Sequence, residues 1–87
     1  MRELLTELNR HRGEILIRIP DVVRVLLPYA SIEAVHDALL TLFEHGTIEL
    51  RPDGGTEFAK ADDLAICPRG PRETVFMYAR WTDTNAR

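Results

Sequence analysis

The sequence predicts an α+β fold: three helices and a small antiparallel sheet, in the order helix, strand, helix, helix, strand, strand. Three observations lead there. Apolar residues return every three and four positions between Ile32 and Phe43, the spacing of one helical face. Residues 14–19 alternate, and residues 74–81 are rich in β-branched and aromatic side chains; both are strand patterns. Gly and Pro stand where these periods change. At 87 residues the chain is expected to form a single domain over 1–87, with a core of modest size.

The elements follow in order. Residues 2–12 place Leu4, Leu5 and Leu8 on one side of a short amphipathic helix, with Gly13 as its stop. "EILIRI" sets Ile15, Ile17 and Ile19 on one strand face and Glu14, Leu16 and Arg18 on the other. Pro20 suits the first turn of the next helix, "PDVVRVLL", which is apolar nearly all round and ends before Pro28. Ser31 is the expected N-cap of the third helix. That helix turns Ile32, Val35, Leu39, Leu42 and Phe43 inward, and Gly46 closes it. "TIELR" is a strand ended by the turn "PDGG". The segment from Thr56 to Cys67 reads either as a helical turn or as an extra strand, and "PRGP" is a further break. "TVFMYARW" is the strongest strand by residue type, and 82–87 is expected to fray.

Composition narrows the function classes. No apolar run approaches the ~20 residues that cross a bilayer. The first residues are too polar for a secretory signal, so a cytoplasmic setting without membrane contact is expected. Cys67 is the only cysteine, which excludes an internal disulfide and a thiolate-rich metal site. The net charge is −3, and its distribution is uneven. Residues 1–30 carry five Arg against four acids. Residues 31–63 carry Arg51 and Lys60 against eight acids. Residues 64–87 carry four Arg against two acids.

Element order, with the short turn "PYA" between the second and third helices, resembles the winged helix-turn-helix superfamily over roughly residues 2–81. The resemblance implies that the third helix would enter a DNA major groove. It also makes the loop between the last two strands, about Pro52 to Glu73, a wing of unusual length. Charge argues against that use. The outward stripe of the third helix is Glu33, Asp37, Leu40 and Glu44, and no Lys or Arg stands between Ser31 and Gly46. Base edges are read mostly by Arg, Lys, Asn and Gln, and carboxylates repel the phosphate backbone.

Two readings stay open. In the first, the chain is a non-enzymatic interaction, adaptor or regulatory module that docks a protein partner on Glu33, Asp37, Leu40 and Glu44. Because "TVFMYARW" carries large apolar groups on both faces, Phe76 and Tyr78 are a second candidate surface, for a homodimer or a partner, unless residues 52–73 fold back over it. Phe58, Leu64 and Ile66 would make that cover. In the second reading, a DNA-binding transcriptional regulator contacts phosphates through Arg69 and Arg72 of the wing and Arg10 and Arg12 near the amino terminus. Charge placement favours the first. His36 and His45 lie nine residues apart on different helix faces, which is not a metal-ligand spacing. No nucleophile–base pair, paired carboxylates or phosphate loop is present. No cofactor, metal or catalytic residue is therefore expected.

Overall fold

The computed structural model describes residues 2–52 and 60–82. Helix α1 covers Arg2–Arg10 and buries Leu4 and Leu8, one turn apart, while Leu5 stays exposed. It stops two residues earlier than its pattern suggests. His11 and Arg12 turn back onto the carbonyls of Leu8 and Asn9. Gly13 does not adopt the left-handed conformation of a helix stop. The Trp81 indole donates to the Leu8 carbonyl at 3.0 Å. The Leu8 carbonyl thus accepts twice, from the His11 amide in the last turn and from the indole across the core.

Strand β1 is only Ile17–Arg18, far shorter than the six residues that alternate. Ile15 is 84% exposed, which corrects its placement on the inward face. Helix α2 covers Ile19–Leu26 with Arg18 as its N-cap residue, and Pro20 in its first turn draws Ile19 out of the strand. Ile19 is still fully buried, from the helix rather than the sheet. Helix α2 also keeps a solvent side, where Asp21, Arg24 and Val25 lie, so it is not buried all round.

Helix α3 covers Ile32–Glu44. The Ser31 hydroxyl accepts from the Ala34 amide at 3.1 Å, as an N-cap should. At the other end Gly46 has φ 77°. Its amide reaches the Phe43 carbonyl, and the Thr47 amide reaches Leu42. That pair of bonds is a Schellman motif, which requires a left-handed residue where Gly46 stands. Val35 and Leu39 are fully buried, Ile32 and Leu42 half-buried, and Phe43 exposed at the rim.

The chain continues through β2 (Ile48–Pro52), α4 (Ala61–Ala65), a 3-10 turn (Pro71–Glu73) and β3 (Phe76–Trp81). The described part of the ambiguous segment is therefore helical, giving four helices where three were expected. "PDGG" beyond Pro52 and Phe58 lie outside the described residues. Of the tail expected to fray, Thr82 makes hydroxyl contacts to the carbonyls of Gly46 at 2.6 Å and Thr47 at 3.0 Å, and residues 83–87 lie outside the described residues.

The sheet is antiparallel with β3 in the centre, in the order β1–β3–β2. Its register fixes two faces. Ile17, Ala79 and Leu50 form one row, and Ile48 pairs with Trp81 in the next; all five are buried with Met77 against the helices. The opposite face carries the row Arg18–Tyr78–Arg51 and the pair Glu49–Arg80. A register shift between Arg51 and Pro52 breaks the alternation at the start of β3. Phe76 accordingly joins the core cluster. Its ring sits 6.0 Å from that of Phe43 on α3. A Cβ built on Gly70 would lie 2.7 Å from its edge. Phe76 is thus not the open neighbour of Tyr78 that strict alternation requires. The stretch after α4 folds back over it, and Leu64 and Ile66 pack on the core. No helix among the described residues is long and apolar enough to cross a membrane.

Candidate protein-docking site

The outward side of α3 is set by helix geometry alone. At 100° per residue, positions 33, 37 and 44 fall within roughly 40° of one another and span about 16 Å along the axis. Glu33, Asp37 and Glu44 are all exposed. Leu40 belongs to the same stripe by position but is half-buried and packs against the core. It is therefore a flank of the acidic face, not its exposed apolar centre. Thr41 is exposed beside them, its hydroxyl donating to the Asp37 carbonyl at 2.8 Å. His36, at the edge of α3, donates from Nε2 to the Ile66 carbonyl at 2.7 Å. That bond fixes the tautomer and ties the helix to the stretch after α4.

The arginines are mostly committed to internal partners. Asp63 of α4, a carboxylate only 6% exposed, receives Arg24 at 2.5 Å and Arg18 at 2.9 Å. The Arg24 bond holds its pKa below the ordinary carboxylate value, with Arg18 adding to the effect and burial opposing it. Asp21 adds a looser contact to both arginines, at 3.5 and 3.9 Å. On the outer sheet face Glu49 Oε1 lies 3.5 Å from Arg51 and 3.8 Å from Arg80. Those separations suit charge attraction but are too long for hydrogen bonds, and Oε1 makes none. Arg10 meets Glu7 at 3.5 Å. Arg12 stacks 3.7 Å over the Trp81 ring and donates from Nε to Asn9 at 2.7 Å.

Arg69 and Arg72 are exposed and make no ion pair among the described residues. Arg69 bridges Val75, and Arg72 sits in the turn with φ 60°. They lie at the Phe76 end of β3, while Arg12 lies at the Trp81 end, five residues or about 17 Å away. Arg69, bridged to Val75, and Arg12, over Trp81, thus stand at opposite ends of β3. Phe76, now covered, is likewise parted from Tyr78, half-buried between Arg18 and Arg51 on the far face.

Other titratable groups are structural in placement. His11 lies between Glu14 at 2.7 Å and Glu7 at 3.1 Å. Its pKa is raised, chiefly by the Glu14 bond, against a burial cost and with Glu7 assisting. Cys67 is buried, its thiol donating to the Met77 sulfur at 3.5 Å. Burial, with Asp63 nearby, pushes its pKa up to about 11, the opposite of an activated nucleophile. A groove of about 240 Å³ between α1 and α2 is edged by Thr6, Glu7, Arg10, Val25 and Tyr29. Among the described residues no three His, Cys, Asp or Glu side chains are grouped to hold a metal ion. Comparison of the chain with protein-family models, with curated proteins and with solved structures gives no match.

Proposed function

We propose that this chain is a non-enzymatic winged-helix module that docks a protein partner through α3, the partner offering a basic surface. One observation carries the reading. The helix that would enter a DNA groove exposes Glu33, Asp37 and Glu44 on one side and has no Lys or Arg anywhere along its length. Glu44 in the last turn opposes the helix dipole, so it is not there to stabilise the helix. The sheet order β1–β3–β2 beneath three helices, with α3 leading into the β2–β3 pair, supports the winged-helix assignment. The commitment of Arg18, Arg24, Arg51 and Arg80 to carboxylates supports a protein partner over nucleic acid. One observation favours the alternative, a DNA-binding regulator: Arg69 and Arg72 stand exposed without an acidic partner among the described residues.

Amide shift mapping with a Lys/Arg-rich peptide tests the docking face. The expected shifts centre on Glu33, Asp37 and Glu44. The triple variant Glu33→Gln, Asp37→Asn, Glu44→Gln should lose them while keeping its fold. Shifts confined to other surfaces, or binding that survives the triple variant, would remove α3 from the account.

A further inference from the structure

We propose that Ala61–Val75 is a flap that opens as a unit while the rest of the fold stays intact, and that the clamp of Asp63 between Arg18 and Arg24 sets how often it opens. The flap is not an ordinary part of the core. Helix α4 has five residues, too few to be stable on its own. Ala61, Asp62, Ala65, Arg69, Pro71, Arg72 and Glu73 are all exposed. Arg72 and Glu73 both hold φ 60°, a conformation that side chains other than glycine rarely adopt. Opening relieves that strain.

What holds the flap down is a short set of contacts. Asp63 bonds Arg18 and Arg24, the Ile66 carbonyl accepts from His36, and the Cys67 thiol meets Met77. Leu64 and Ile66 add half-buried apolar contact, and Gly70 lies on the Phe76 ring. The central strand β3 is paired by β1 and β2, and the flap adds one bond at its start, the Phe76 amide donating to the Pro68 carbonyl at 3.0 Å. Of the flap's attachments, the Asp63 clamp is the one made of full charges. Its removal leaves only neutral contacts to keep the segment docked. Opening uncovers Cys67, Met77 and Phe76 on the side of the domain that His36 ties to α3. The proposal stands apart from the docking reading, since it concerns a motion within the chain and not what binds it.

Cys67 reports on the motion directly, being the only thiol in the chain. Its labelling by a maleimide should be slow in the wild type and nearly independent of urea at low concentration, because a small opening exposes little surface. Asp63→Asn should speed labelling by about tenfold or more, the loss of charge-assisted bonds, and Arg24→Gln by less. Hydrogen exchange at the buried Val23, Val35 and Leu39 should stay far slower than thiol labelling in wild type and in both variants. Labelling in the wild type that rises with urea as steeply as global unfolding overturns the proposal, and this measurement needs no variant to fold. So does an Asp63→Asn variant that labels no faster, or one whose thiol labels no sooner than its core amides exchange.

Discussion

Asp63 and Arg24, thirty-nine residues apart in sequence, meet at 2.5 Å between Oδ1 and the guanidinium. The pair joins α4 to α2, and Arg18 completes it from the end of β1. Asp63→Asn should therefore destabilise the fold by about 1–3 kcal/mol, the worth of bonds to a charged partner. The sign of its pH dependence follows from the depressed pKa. Its contribution is full above the ordinary carboxyl value of about 3.9 and is lost as pH falls through the lower folded value. Thermal melts of wild type and variant should thus differ most near neutrality and converge in acid. A constant difference down to the acid transition would contradict the assignment.

His11 runs the other way. Between Glu14 and Glu7 its pKa is raised, so it contributes stability that is present below about pH 6.5 and lost as pH rises through the folded value. A proton NMR titration should place its midpoint above that of an ordinary histidine. Glu14→Gln should pull it back, since the Glu14 bond is the largest cause. A midpoint unmoved by Glu14→Gln would show that the 2.7 Å contact is not made in solution.

Gly70 and Phe76 form a packing lock. A Cβ at position 70 would fall 2.7 Å from two ring atoms of Phe76, and the ring cannot easily swing away because it is buried beside Phe43. Gly70→Ala should cost about 1–3 kcal/mol by overpacking. In a Phe76→Leu background the same change should cost clearly less. Denaturation of the four proteins in the cycle measures the coupling, and simple additivity would mean that the two residues do not touch.

Leu39 and Leu40 separate the two sides of α3. Leu39 is fully buried, and Leu39→Ala should cost ~2–5 kcal/mol. Leu40 is half-buried at the flank, and Leu40→Ala should cost less than half as much. Equal losses in urea denaturation would mean that the helix is rotated from the orientation described.

Much of this fold was legible in the sequence because local chemistry dictates it. Ser31 and Gly46 bracket α3 by capping bonds that act within a few residues. The inward phase at Val35 and Leu39 follows from helical spacing. The hidden parts depend on long-range partners. Ile15 alternates with its neighbours yet stays exposed, because residues 14–16 bend ahead of β1 instead of pairing in the sheet. Phe76 alternates with Tyr78 yet turns inward, because the strand slips register opposite Arg51 and Pro52. Asp63 was missed altogether. One of two adjacent aspartates in "ADDLA", it carries no local mark of burial, and its partners come from elements some forty residues away. The acidic stripe at Glu33, Asp37 and Glu44 was readable from spacing, whereas the half-burial of Leu40 required the neighbouring elements.

The central claim is that α3 presents its carboxylates to a protein and not to DNA. Fluorescence anisotropy with a mixed-sequence duplex at physiological salt tests it most directly. The account predicts binding no tighter than the non-specific range of ~10⁻⁴ to 10⁻⁶ M, unchanged in Glu33→Gln and Asp37→Asn. Nanomolar affinity with a steep salt dependence, lost when Arg69 and Arg72 are replaced by Gln, would contradict it.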